Sequence, residues 1–278
     1  MIKDCEALRN YLIEDIKKQT DMVVVGCSGG ADSTLVATMC MLALGKENVV
    51  AVHMPATKTD RDYFNLRSKN LANHLALPLQ LNVPIWDIMD TLKTRINDSL
   101  DDLLRLSPIP DMSQMNEGNT RARARMTVLY AVCTAMSERY PDKRVRVVGT
   151  GNLSEDFIGY FTKYGDGAVD FSPLGTMYKS EVYQMLDYFK NTGVILEEHI
   201  DRVPSAGLWD GQSDQGELGF SYDEMEHSIR KWHADIPWDM NDKVDNFVAK
   251  RYKANKHKMM QPPIAQLGKF DTTYGEND

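Results

Sequence analysis

Residues 21–45 read DMVVVGCSGGADSTLVATMCMLALG. The opening run from Asp21 to Gly26 is short, β-branched and closed by glycine, the pattern of a strand covered on both faces. After Ser33 the run TLVATMCMLAL is apolar throughout and stops at Gly45, which predicts a buried helix ended by glycine. A strand, a glycine-rich turn and a helix in that order start a strand–helix–strand unit.

The same alternation continues outward from this stretch. Leu8, Leu12 and Ile16 lie at helical spacing and predict a helix over 1–19. Asn48 to Met54 reads as a second strand ended by Pro55, followed by a helix over 60–76 and a third strand from Leu79 to Val83. Residues 85–106 predict a helix, 107–118 a turn-rich loop, Asn119 to Tyr140 a long helix, and Arg144 to Val148 a fourth strand. This order predicts an α/β fold, a doubly wound parallel sheet with helices on both faces. No repeat, low-complexity tract or linker divides the chain, so one domain over 1–278 is expected. The stretch 203–220, rich in Gly, Ser, Asp and Gln, reads as a mobile loop.

Of the 278 residues 42% are hydrophobic, which suits a sizeable core and excludes a disordered chain. The net charge of −8 argues against a nucleic-acid backbone as partner. No stretch approaches the roughly 18 apolar residues of a membrane span. The first residues, MIKDCEALRNYLIEDIKKQ, are amphipathic and acidic and do not resemble a secretory signal. Cys5, Cys27, Cys40 and Cys133 lie far apart without metal-ligand spacing, so reduced thiols and a cytoplasmic location are expected.

The turn Gly26-Cys27-Ser28-Gly29-Gly30-Ala31-Asp32-Ser33 stands where a doubly wound sheet places its ligands, at a strand's carboxyl end and a helix's start. Gly29 and Gly30 allow backbone N–H groups to converge, and the helix N-terminus adds partial positive charge, so the turn favours an anion. Ser28 and Ser33 supply hydroxyls. Asp32 would repel a bare phosphate, and it makes sense with Mg²⁺ between the two. The bland alternative is a glycine turn with Asp32 as helix cap. Residues 149–182 then place Glu155 near a strand end as a second candidate metal carboxylate, and Lys179 on a following helix. Lys163, Asp166 and Asp170 form a polar cluster beside Phe161 and Tyr164, suited to a polar aromatic ring, or else are surface charges around core aromatics. Arg121, Arg123 and Arg125, with the basic stretch Lys250 to Lys258, could serve a small phosphate ligand. On a helix Arg121 and Arg125 share a face and Arg123 lies opposite.

The SGGxDS turn resembles the pyrophosphate-binding loop of the N-type ATP pyrophosphatases, which split ATP between its α and β phosphates. That likeness leaves the acceptor open. The separated motifs GTGN-x-x-E, FTKYGDG-x-x-D, YK, PSAGLW-x-GQ-x-D and ELG-x-SYDE are together similar to the NAD synthetase family, over nearly the whole chain.

The resemblance implies an adenine nucleotide alpha hydrolase-like fold and a C–N-forming ligase. ATP would adenylate the nicotinate carboxylate of deamido-NAD, and ammonia would displace AMP to give NAD. It assigns Gly26 to Ser33, Thr150, Lys179 and Ser205 to ATP, and Asp32 and Glu155 to Mg²⁺. Asp32, Glu155 and Lys179 would be the catalytic set. Arg123, within N-x-x-A-R-x-R-M, would contact the dinucleotide, Lys163, Asp166 and Asp170 its nicotinate end, and His257 and Lys258 its phosphates. Two positions depart from the family's usual pattern: His53 stands where Arg is frequent and Asp210 where Pro is common. The length leaves no room for a glutaminase domain, so free ammonia is the expected donor, and the family is commonly homodimeric. The rivals are another loop-sharing enzyme, such as a tRNA-thiolating ligase, or a non-catalytic nucleotide binder.

Overall fold

The computed structural model describes residues 1–56, 64–103, 113–201, 204–205 and 213–264. Helix α1 (Cys5–Gln19), capped by Asp4, leads into strand β1 (Met22–Gly26), helix α2 (Ala31–Leu44) and strand β2 (Val49–His53). Helix α3 (Phe64–His74), strand β3 (Leu79–Asn82), helix α4 (Trp86–Leu103), helix α5 (Gln114–Arg139) and strand β4 (Val145–Val148) follow. The remaining helices are α6 (Leu153–Phe157), α7 (Lys179–Asn191), α8 (Asp214–Leu218), α9 (Tyr222–His233) and α10 (Lys243–Asn255).

Among the described residues four strands pair in parallel in the order β3-β2-β1-β4, as the alternation predicted. Every residue of β2 and all but Gly26 of β1 are buried, because helices cover both faces. On one face Val23, Val25, Val49 and Ala51 pack with Leu12 and Ile16 of α1, Leu35 and Met39 of α2, and Leu186 of α7. On the other, Met22, Val24, Val50 and Val52 pack against Cys133 and Leu129 of α5. Burying each such aliphatic side chain contributes about 1.5–3 kcal/mol before chain entropy opposes it. Helix α2 is buried on nearly every side, which its uniformly apolar sequence requires. A third cluster joins Phe157 of α6 to Met225 and Ile229 of α9 and Val248 of α10. There Phe157 stacks on Tyr252, with ring centroids 4.8 Å apart.

Two of the departures from the sequence reading lie beside the cleft. Helix α5 begins at Gln114 rather than Asn119, because the Ser113 hydroxyl caps it by accepting from Asn116 N and Gly118 is buried within it. The expected loop 203–220 contains α8, capped by Ser213, while residues 206–212, Asp210 among them, lie outside the described set. Among the described residues no helix is long and apolar enough to cross a membrane, and all four cysteines are free thiols. Burial pushes the Cys27 thiol up to about 12.

Candidate active site

From β1 the chain winds through β2 to β3 on one side, then β4 pairs with β1 on the other. The turns leaving β1 and β4 therefore diverge and open a crevice at the carboxyl ends of the strands. A cleft of about 910 Å³ fills it.

The β1–α2 turn forms one end. Gly29 sits at φ +70, and a Cβ there would stand 3.1 Å from both Arg67 Cβ and Ser68 N, so glycine is required on two counts. Ser33 Oγ donates to Gly30 O at 3.1 Å and lies 3.0 Å from Ser28 Oγ, tying the turn to the first turn of α2. The N-cap of α2 is Gly30, which brings no side-chain hydrogen bond, so Asp32 is not the cap. It stands one residue inside the helix and aims its carboxylate across the cleft.

There it meets the start of α7. Lys179, 4% exposed, donates from Nζ to Asp32 Oδ2 at 2.5 Å and to Glu155 Oε1 at 2.9 Å. Burial disfavours the Lys179 ammonium, but the two carboxylates outweigh it and hold its pKa above the ordinary lysine value. Burial pushes the Glu155 carboxyl up, Lys179 pulls against this, and the Asp32 charge adds to the rise. Asn152 caps α6 by accepting from Glu155 N at 3.2 Å and donates to Asp32 Oδ1 at 3.0 Å. The Tyr222 hydroxyl lies 3.2 Å from Glu155 Oε1 and 2.8 Å from Asp214 Oδ2. Asp32 and Glu155 offer hard oxygen donors beside the glycine turn, a donor set suited to Mg²⁺ with phosphates completing its shell. Among the described residues no group of three or more His, Cys, Asp or Glu side chains could hold a metal ion by itself.

The far end is built from more distant pieces. Gly165 packs so tightly that a Cβ would fall 3.0 Å from Ala122 Cβ, which seats the 162–166 turn on α5. Asp166 Oδ1 accepts from Thr162 N at 3.0 Å within that turn. Lys258 Nζ, after α10, donates to Gly159 O at 2.8 Å and Phe161 O at 2.9 Å, and burial and then Arg251 lower its pKa.

Of the residues singled out from sequence, the cleft gathers Gly26, Cys27, Ser28, Gly30, Ala31, Asp32, Ser33, Thr150, Glu155, Asp166, Lys179, Ser205 and Lys258. Gly29, Arg123, Lys163, Asp170 and His257 do not line it. Arg123 is exposed and donates from Nε to Lys163 O at 3.3 Å, while its neighbours Arg121 and Arg125 face the cleft. Lys163 Nζ turns away to donate to His257 O at 2.9 Å. Asp170 accepts from Val147 N at 2.7 Å and from the Tyr130 hydroxyl at 3.2 Å, pinning its segment to β4 and α5. His53 lines the cleft, is 1% exposed, and places Nδ1 2.7 Å from Ser68 Oγ.

Sequence reasoning gave no role to Asn152, Asp156, Asp214 and Tyr222, and named Arg125 only within a basic cluster that could serve a small phosphate. Asn152 carried a signal, the Asn-x-x-Glu spacing of a capped helix start. Asp156 lines the cleft, and its carboxyl is pushed up to about 6 by burial and then by the charges of Asp166 and Asp32.

Comparison with known proteins agrees with the motif reading. The family model NAD synthase matches residues 2–262. The NH(3)-dependent NAD(+) synthetase of Methanosarcina acetivorans is 35% identical over 276 residues, covering 95% of this chain and 99% of the relative. The structure of the NH3-dependent NAD synthetase from Campylobacter jejuni superposes with a TM-score of 0.69 at 28% identity, covering 95% of this chain and all of that one. An NMN synthetase from Francisella tularensis, at 24% identity and a TM-score of 0.73 over 95% of this chain and 99% of that chain, shares the fold. With a family model spanning most of its length and relatives matched nearly end to end, the chain belongs to the NAD synthase family.

Proposed function

We propose that the protein is a C–N ligase that amidates deamido-NAD to NAD with ammonia, at the expense of ATP, through an acyl-adenylate. The observation that carries this reading is the meeting of Asp32, Glu155 and Lys179 beside the glycine turn that leaves β1, in a chain of this family. A nicotinate carboxylate is a poor electrophile. Attack of its oxygen on the α-phosphorus expels pyrophosphate and makes a mixed anhydride. Ammonia then attacks the acyl carbon, AMP leaves, and the nitrogen loses a proton.

Gly26 to Ser33, Thr150 and Ser205 would seat the triphosphate, and Lys179, held as a cation, would balance charge that develops as pyrophosphate departs. Asp32 and Glu155 would hold Mg²⁺, which supplies charge neutralisation to the phosphates. Asp166 and Lys258 would face the dinucleotide together with Arg125. Arg123, Lys163, Asp170 and His257 would act behind the wall by fixing the turns that carry those groups. One domain, a homodimeric assembly, a cytoplasmic setting and partners limited to small molecules complete the reading, the net charge of −8 supporting the last.

The test is direct. The protein incubated with ATP, Mg²⁺, ammonium and deamido-NAD should yield NAD and AMP in equal amounts, and glutamine should not replace ammonium. Folded protein that forms no NAD would overturn the assignment.

A further inference from the structure

Asn152 is fully buried, and both ends of its side-chain amide are used. Its Oδ1 accepts from Glu155 N at 3.2 Å, the ordinary bond of an N-cap, and its backbone is extended as a cap requires. Its Nδ2 donates to Asp32 Oδ1 at 3.0 Å, across 120 residues of sequence. The orientation of the amide is fixed by these partners, because a flipped group would set nitrogen against an N–H and oxygen against a carboxylate. A cap alone needs only the oxygen, and Ser or Asp would serve equally well. The nitrogen answers a different need. Asp32 is the second residue of α2, and its other oxygen, Oδ2, bonds Lys179 Nζ at 2.5 Å. With Oδ1 engaged by the amide, the carboxylate presents Oδ2 to Lys179.

We propose that Asn152 is a positioning residue that orients the Asp32 carboxylate while fixing the backbone of Glu155, so that one side chain ties the two acidic residues of the site together. The inference rests on the proposed ATP-dependent reading of this cleft. It also explains why the side chain that caps α6 carries an amide rather than a hydroxyl or a carboxylate.

Two variants separate positioning from capping. Asn152→Ser keeps a capping oxygen and removes the nitrogen. Asn152→Asp keeps the cap and the shape, and sets a second carboxylate against Asp32. Full-length wild type and variants are compared by thermal unfolding, by calorimetric titration with ATP in the presence and absence of Mg²⁺, and by steady-state NAD formation. Asn152→Ser should unfold within a few degrees of wild type, with kcat lower by about tenfold for one lost charge-assisted hydrogen bond. Asn152→Asp should lower kcat by about a hundredfold or more, with KM for deamido-NAD little changed, and should weaken ATP binding more than Asn152→Ser does. Wild-type kcat and ATP affinity in both variants would overturn the inference. So would equal losses that merely track a lower thermal midpoint. If Asn152→Asp does not fold, the Asn152→Ser result decides by itself. If wild type forms no NAD, the functional reading fails, and the order of ATP affinities still tests the role of Asn152.

Discussion

One end of the cleft draws Ser28, Asp32 and Ser33 from a single turn and the start of the helix behind it, whereas the other draws Arg125 from α5, Asp166 from the turn after α6, and Lys258 from beyond α10. At the first end a short segment fixes its own geometry: the Ser28–Ser33 contact, the left-handed Gly29 and the Gly30 cap all lie within it. At the second, each group depends on how elements pack, as where Gly165 meets Ala122. Local geometry can be read from residue order. Geometry that depends on which face of a helix turns inward cannot.

The largest effect should fall at the local end. Asp32→Ala removes one of the two carboxylates on Lys179, and we expect kcat to fall about a thousandfold or more, with the fold kept because Gly30 and not Asp32 caps α2. Circular dichroism and NAD formation check both halves. Retained turnover would show that the local end is dispensable and break the contrast.

A smaller effect tests the floor between the ends. The Asp156 carboxyl is raised to about 6 by burial first, then by Asp166 and Asp32. A carboxyl whose folded pKa lies above its unfolded value favours the folded state in acid. That advantage disappears as pH rises from about 4 to about 6, and above this range the ionised group is a standing cost. Asp156→Asn should therefore stabilise the protein by about 1–2 kcal/mol at pH 7.5 and not at all near pH 4, measured by urea unfolding at each pH. A loss of stability at pH 7.5 would show that Asp156 is a structural support rather than a carboxylate kept at a cost for use in the cleft.

Much of the fold was legible because burial on both faces leaves a plain mark: β1 and β2 are continuous apolar runs, and α2 is apolar all round. The start of α5 was not, because Gly118 and the polar residues around it look like a turn until Ser113 caps them and packing buries the glycine. Asp32, Glu155 and Lys179 were identified through motifs, although nothing in the sequence shows that one ammonium touches both carboxylates. Asn152 was visible only as part of a longer motif, since a cap is a local signal and its bond to Asp32 is a tertiary one. Asp170 shows the same limit from the other side. An acidic residue beside aromatics looks like a ligand group, yet its oxygens are engaged by Val147 N and the Tyr130 hydroxyl.

The arginines of α5 give the sharpest form of the contrast. Helical spacing puts Arg121 and Arg125 on one face and Arg123 on the other, and this much follows from the sequence. Which face meets the ligand depends on Ala122, whose small side chain admits Gly165 and brings the 162–166 turn down beside Arg125. Arg123 is left outside, supporting Lys163 O. Arg125→Ala should raise KM for deamido-NAD about tenfold, the loss of one charged contact, with KM for ATP nearly unchanged. Arg123→Ala should change KM for deamido-NAD by less than about threefold, because it removes one long hydrogen bond at an exposed site. The reverse order would mean that the dinucleotide is gripped from the outer face of α5, and the inward face would then be framework rather than ligand surface.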